Sequence, residues 1–203
     1  MDLSNETQAT LQMYGLNPGQ TSGFGWQCLV ARRLAERGVR FIELIDVGSS
    51  SNWDAHGDLK TNHDLHAGET DKPIAGLLKD LKQRDMLKDT LIVWGGEFGR
   101  TPMFQGKGGA GRDHHIKGFS MWMAGGGIKP GQSYGATDDL GYHAVDDVVH
   151  VRDMHATMLM IKSTVPVLSR QNQTSFRCHT EGASFILMSH SASKLHFDLT
   201  QHE

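Results

Sequence analysis

The stretch LIVWGGEFGRTP, residues 91–102, indicates the fold class of this chain. It opens with a short apolar run, which is typical of a strand that is buried on both faces. Two glycines end the run, and the charged residues Glu97 and Arg100 follow at once. A second polar segment, GRDHH at residues 111–115, comes soon afterwards. Charged side chains just past a buried strand are typical of a ligand site.

The segments on both sides of this strand alternate between helix and strand. Helices are predicted at 25–38, 69–87 and 149–161, and strands at 39–47, 88–96 and 118–127. Thr70 or Asp71 can cap the second helix, and Pro73 suits its first turn. This alternation with short connections predicts an α/β fold with a mainly parallel sheet. The polar residues that follow neighbouring strands should therefore meet at one edge of that sheet.

Composition and charge argue against several classes of protein. A formal net charge of -3 over 203 residues gives no basis for a nucleic-acid partner or an anionic membrane surface. No apolar run approaches the roughly 20 residues of a membrane-spanning helix. The two cysteines, Cys28 and Cys178, lie too far apart in sequence for a CxxC metal site and suggest no disulfide framework. The 12 histidines are many for this length and favour metal or proton chemistry.

Two clusters contain candidate metal ligands. Asp54 and His56 lie in NWDAHGD, and Asp113, His114 and His115 lie in GRDHH. Carboxylate and imidazole groups together suit divalent metals at hydrolytic sites. The alternative is that each cluster is an ordinary exposed loop, in which the aspartate caps a turn. Because both clusters lie near predicted strand ends, we favour the metal site.

Glu97 and Arg100 form a third candidate group. A carboxylate at a strand end can bind a metal or accept a proton, and the glycines before Glu97 let the backbone approach a ligand closely. Arg100 can bind two oxygens of a sulfate or phosphate group. The alternative is a structural ion pair between Glu97 and Arg100. The chain has no G-x-S-x-G motif, which disfavours a Ser-His-Asp hydrolase.

Several longer segments resemble one known family. They include FGWQCLVARRLAERGVRFIEL, WDAHGDL, GGEFGRTP and GRDHHIKGFSMWMAGGGIKPG. Over residues 1–161 the chain resembles the DUF1501 family, sulfatase-like proteins of the alkaline phosphatase superfamily that are common in planctomycetes. The resemblance implies a partial alkaline-phosphatase-like α/β/α sandwich, of which residues 1–161 are the C-terminal part.

The resemblance also implies a function and a set of site residues. It implies metal-dependent hydrolysis of a sulfate or phosphate ester of a small molecule or carbohydrate. The implied metal ligands are Asp54, His56, Glu97, Asp113, His114 and His115, with Glu97 and Arg100 as catalytic groups. The cofactor would be a divalent metal such as Zn, Mn, Ca or Mg. The rival hypotheses are a degenerate, non-catalytic module that binds a carbohydrate or a protein partner, and a gene remnant without a stable fold.

The chain departs from the family pattern at both ends. The family's N-terminal half, with its nucleophile and twin-arginine export signal, has no counterpart here, so we expect this chain alone to be inactive and, as given, cytoplasmic. The oligomeric state is not predicted. After Ile161 the resemblance is expected to fail, because residues 162–203 are polar and aperiodic. We expect an irregular tail there, and a frameshift is our hypothesis for its origin.

Overall fold

A computed structural model of the chain describes residues 3–46, 53–106, 110–161 and 184–190. The helices are α1 (Gln8–Met13), α2 (Phe24–Glu36), α3 (Leu59–Gln83) and α4 (Val151–Ile161). The strands are β1 (Phe41–Asp46), β2 (Thr90–Gly96), β3 (Gly99–Arg100), β4 (His114–His115), β5 (Trp122–Gly125), β6 (Ala136–Thr137), β7 (Ala144–Asp146) and β8 (Ser184–His190). This mixture of helices and strands confirms the predicted α/β character. Within the described residues, no helix combines the length and apolar character needed to cross a membrane.

The largest sheet has four strands in the order β1-β8-β2-β5. β8 runs parallel to both β1 and β2, whereas β5 is antiparallel to β2. β1 and β2 therefore point in the same direction, and their carboxyl ends, at Asp46 and Gly96, lie at the same edge of the sheet. Two small antiparallel pairs, β3 with β4 and β6 with β7, complete the described strands.

β8 corrects the expectation that residues 162–203 are irregular. Ser184–His190 forms a strand between β1 and β2. Ile186 is the register partner of both Ile42 and Ile92, and all three side chains are buried. The expectation was wrong for this strand because so short an apolar run gives no recognisable period, although two flanking strands can satisfy its backbone. Residues 162–183 and 191–203 lie outside the described residues.

The start of α3 differs most from its prediction. The helix begins at Leu59 rather than near residue 69, and the side chain of Asp58 caps it by accepting a hydrogen bond from the Thr61 amide at 3.3 Å. Pro73 therefore lies inside the helix and does not mark its first turn. The added turns contain mostly polar residues, so no apolar stripe in the sequence revealed them. β5 is also shorter than the predicted strand at 118–127.

The core lies on both faces of β2. On one face, Ile92 packs with apolar residues of α1, α2, α3 and β1. On the other face, Leu91 and Val93 pack against methionines that include Met154 and Met158 of α4. A strand that is buried on both faces explains the continuous apolar run with which the sequence analysis began.

A buried arginine connects α2 to its neighbours. The Arg32 side chain is only 2% exposed and lies 2.8 Å from Glu6, 2.7 Å from Glu36 and 2.9 Å from Asp80 of α3. The buried Tyr14 hydroxyl donates a hydrogen bond to Asp80 as well, at 2.9 Å. These contacts hold together the segment before α1, the end of α1, α2 and α3.

We expect Arg32→Met to lower the free energy of unfolding by about 1–3 kcal/mol, because Glu6 and Asp80 lose the buried cation that they share. Each carboxylate keeps one other arginine partner, Arg33 for Glu6 and Arg84 for Asp80. Urea denaturation monitored by circular dichroism measures the change. Arg37→Met is the matched control, since Arg37 is exposed at the end of α2. An equal effect of the two substitutions would show that the Arg32 contacts add no net stability.

Gly76 and Gly68, both in α3, allow a second test. A Cβ on Gly76 would lie 2.4 Å from the Met13 carbonyl oxygen, whereas a Cβ on Gly68 would meet nothing within 4 Å. We expect Gly76→Ala to lower the melting temperature because α3 must move away from the end of α1. Gly68→Ala should instead raise stability by about 0.5–1 kcal/mol, because alanine favours helix. Thermal unfolding of the two variants measures both effects, and a shift of the same sign in both would contradict this account.

Candidate metal centre

One loop and two short strands bring the candidate site together at the carboxyl edge of the sheet. Asp54 and His56 lie between β1 and α3, and Arg100 lies in β3, just after β2. His114 lies in β4, and the antiparallel pairing of β3 with β4 places it directly opposite Arg100. The prediction that residues following β1 and β2 converge is therefore confirmed for Asp54 and Arg100, whose side chains form an ion pair at 2.5 Å.

Asp54, His56 and His114 form a compact triangle of possible ligand atoms. Asp54 Oδ1 lies 2.9 Å from His56 Nε2 and 2.9 Å from His114 Nε2. The two Nε2 atoms are 3.2 Å apart. We refer to Asp54, His56 and His114 as the DHH cluster, which is not the same as the sequence segment Asp113-His114-His115. Among the described residues, it is the group of acidic, histidine and cysteine side chains whose spacing suits a metal ion.

The donor set of the DHH cluster fits a divalent metal. Ligand atoms bound tetrahedrally to Zn²⁺ at about 2.0–2.1 Å lie about 3.3 Å apart, close to the separations in the cluster. One carboxylate oxygen and two imidazole nitrogens also match three-ligand sites that leave a position open. The side chains of His56 and His114 are 41% and 44% exposed, so one side of the cluster is open to solvent.

The surroundings of Asp54 favour its ionised form. Partial burial by itself raises the pKa of the Asp54 carboxyl, but hydrogen bonds from His114 and Arg100 and the positive charge of Arg100 lower it more. The net result is a pKa below the usual value. Asp54 is therefore a carboxylate at neutral pH, which is the form that binds a metal.

The structure places the other candidate residues differently. Asp113 is next to the cluster, with Oδ1 at 3.9 Å from His56 Nδ1, and it accepts a hydrogen bond from the backbone amide of His114 at 2.8 Å. His115 is buried, and its Nε2 contacts the Tyr142 carbonyl at 2.5 Å. Glu97 is half-buried between β2 and β3 and does not belong to the DHH cluster. The alternative Glu97–Arg100 pair is replaced by the Asp54–Arg100 pair.

Two residues that the sequence analysis passed over contribute to the site. Gln105 Oε1 contacts His56 Nδ1 at 2.6 Å. Trp53, next to Asp54, donates a hydrogen bond from Nε1 to Asp46 at 2.8 Å and packs against the buried His66 with ring centroids 5.4 Å apart. A glutamine in a glycine-rich loop has no sequence signal of its own. The aromatic residue next to Asp54 could have been recognised as an anchor for the loop.

The chain belongs to the DUF1501 family, whose model, described as a protein of unknown function, matches residues 1–180. The match continues past Ile161, so the expectation that the resemblance fails there is wrong. No curated protein and no solved structure matches the chain.

In metal-free protein we expect Asp54 to stabilise the fold only while it is ionised. Because the folded state lowers the pKa of Asp54 below its usual value, this stabilisation is present above that value and is lost as the pH falls through the lowered pKa. The difference in unfolding free energy between wild type and Asp54→Asn should therefore shrink on acidification below about pH 4.

Urea denaturation in the presence of a chelator, from about pH 3 to pH 7, measures this difference. Asp139→Asn, which changes an exposed carboxylate, is the control. A wild-type advantage over Asp54→Asn that grows on acidification would contradict the assigned direction of the pKa shift.

Proposed function

We propose that this member of the DUF1501 family is the metal-binding part of a hydrolase that acts on sulfate or phosphate esters. The observation that carries the proposal is the DHH cluster, in which three ligand atoms converge beside the Arg100 guanidinium. We also propose that the four-stranded sheet and its helices belong to an alkaline-phosphatase-like α/β/α sandwich. The position of the cluster, at the carboxyl ends of β1 and β2, supports this proposal.

Asp54, His56 and His114 are the residues that would hold the metal. Two imidazole ligands favour Zn or Mn over Mg and Ca, which prefer oxygen ligands. When bound, such a cation polarises the oxygens of the ester. Glu97 comes from the same β2–β3 segment as Arg100, and we propose it as a further ligand or proton-transfer group.

Arg100 supplies the second part of the proposed chemistry. Its guanidinium is always charged and can donate two parallel hydrogen bonds to a tetrahedral oxyanion. The side chain is 21% exposed and lies against Asp54, so a sulfate or phosphate group bound there would lie next to the DHH cluster. The proposal assigns metal binding and oxyanion binding to this chain and assigns no nucleophile.

The second candidate function is a non-catalytic module that binds a carbohydrate or a protein partner. The observation that favours it is the Asp54–Arg100 ion pair, because Arg100 occupies the same carboxylate oxygen that a metal would need. Such a pair can stabilise a loop without taking part in chemistry. The two functions differ in whether zinc and an oxyanion bind together.

Zinc titration by isothermal calorimetry tests the first function. We expect the wild-type chain to bind about one Zn²⁺. His56→Ala or His114→Ala should weaken zinc binding by more than the 10–100-fold that is typical of residues that only orient a metal ligand. His150→Ala, which removes an exposed histidine before α4, is the matched control. A wild-type chain that binds no zinc, manganese, magnesium or calcium would refute the proposal.

The same preparation then separates the two functions. Zinc-loaded protein should bind inorganic sulfate or phosphate, and Arg100→Ala should abolish this binding while Arg152→Ala, an exposed control, leaves it intact. Hydrolysis of 4-nitrophenyl sulfate and 4-nitrophenyl phosphate is measured in parallel. Zinc binding with neither oxyanion binding nor turnover would favour the non-catalytic module.

A further inference from the structure

We propose that Gln105 is a positioning residue that orients His56 for metal binding. Its side-chain oxygen would accept a hydrogen bond from His56 Nδ1 and so leave His56 Nε2 free to bind the metal. The inference rests on the metal site proposed above, and it assigns a role to a residue outside the DHH cluster.

The contact between Gln105 and His56 carries the inference. Gln105 Oε1 lies 2.6 Å from His56 Nδ1, on the side of the ring away from the cluster. An amide oxygen only accepts hydrogen bonds, so the proton of this contact lies on Nδ1. A neutral imidazole carries one such proton, which leaves a lone pair on Nε2. In that tautomer the Nε2 lone pair is directed at the centre of the DHH cluster, where Asp54 Oδ1 and His114 Nε2 lie 2.9 and 3.2 Å from Nε2.

The backbone around Gln105 holds it in a fixed position relative to His56. Gln105 and Gly111 exchange two backbone hydrogen bonds, both of 2.9 Å. The next amide, that of Arg112, donates to the Ala55 carbonyl at 3.1 Å. Gly111 lies so close to His56 that a Cβ there would be 2.1 Å from the His56 carbonyl oxygen. The segment that carries Gln105 therefore packs directly on the backbone of the residue it orients.

Asp113 is the competing acceptor for His56 Nδ1. Its Oδ1 is farther away, at 3.9 Å, and already accepts the His114 amide at 2.8 Å. The Asp113 side chain is also 56% exposed, whereas the contact of Gln105 with His56 is partly buried. The geometry therefore assigns the orienting hydrogen bond to Gln105. Groups that orient a metal-binding histidine in this way typically change metal affinity 10–100-fold.

Zinc affinity, measured by competition with a chromophoric chelator, tests the inference. Gln105→Met keeps the side-chain length but removes the acceptor, and we expect it to weaken zinc binding about 10–100-fold. Gln105→Glu keeps an acceptor and should bind zinc at least as tightly as wild type. Gln132→Met, which replaces an exposed glutamine in another loop, is the matched control. Thermal unfolding verifies that each variant is folded.

Two-bond ¹H–¹⁵N correlation spectra of the zinc-loaded proteins give a readout that a merely structural role would not change. In wild type and Gln105→Glu, His56 should carry its proton on Nδ1 and bind zinc through Nε2. Zinc bound through Nδ1, or equal zinc affinities of wild type and Gln105→Met, would overturn the role of Gln105 while leaving the metal site in place. A wild-type chain that binds no metal would instead refute the proposed function and this inference together.

Discussion

The buried guanidinium of Arg32 is the interaction on which the arrangement of the helices depends. Taking one cation and its carboxylate partners out of water costs several kcal/mol per ion, and this cost is offset only when every partner is in place. Those partners come from the segment before α1, from α2 itself and from α3. The pairing therefore favours one spacing of α2 and α3, the two helices that cover the buried face of β1 and β2. Gly76 permits the same spacing, because α3 lies so close to the end of α1 at that position that a Cβ would be 2.4 Å from the Met13 carbonyl oxygen.

The candidate metal centre depends on this frame through the ends of two strands. β1 and β2 run in the same direction, so the loops that follow them meet at one edge. Each loop is then held by contacts of its own. Trp53 anchors the first loop to Asp46 at the end of β1, and Gly111 packs on the backbone beside His56. The ligand atoms of the exposed DHH cluster lie about 3 Å apart because the backbone beneath them is fixed on two sides.

The sequence predicted the α/β character and the meeting of Asp54 with Arg100, because both follow from strand direction alone. It predicted Asp54, His56 and His114 as candidates but did not separate His114 from His115, since adjacent residues of a strand point to opposite faces and no spacing rule says which face is the site. It missed the first turns of α3, which have a cap but no apolar stripe, and β8, whose apolar run is too short to show a period. It missed Gln105 because the contact with His56 joins residues far apart in sequence, in a loop whose shape depends on the rest of the fold.

The crowding at Asp54 favours a metal over a simple hydrogen-bond network. Asp54 Oδ1 is within 2.9 Å of Arg100, His56 and His114 at once. The two lone pairs of this carboxylate oxygen can accept hydrogen bonds from Arg100 and His114 but leave none for His56. If Gln105 holds the His56 proton on Nδ1, then His56 Nε2 faces the carboxylate with a lone pair, and two acceptors repel each other at that distance. A divalent cation that took the place of Arg100 at Asp54 Oδ1 would remove the conflict, because it would accept lone pairs from all three ligand atoms and free Arg100 to bind an anion. The geometry of the DHH cluster is thus easier to satisfy with a metal than without one.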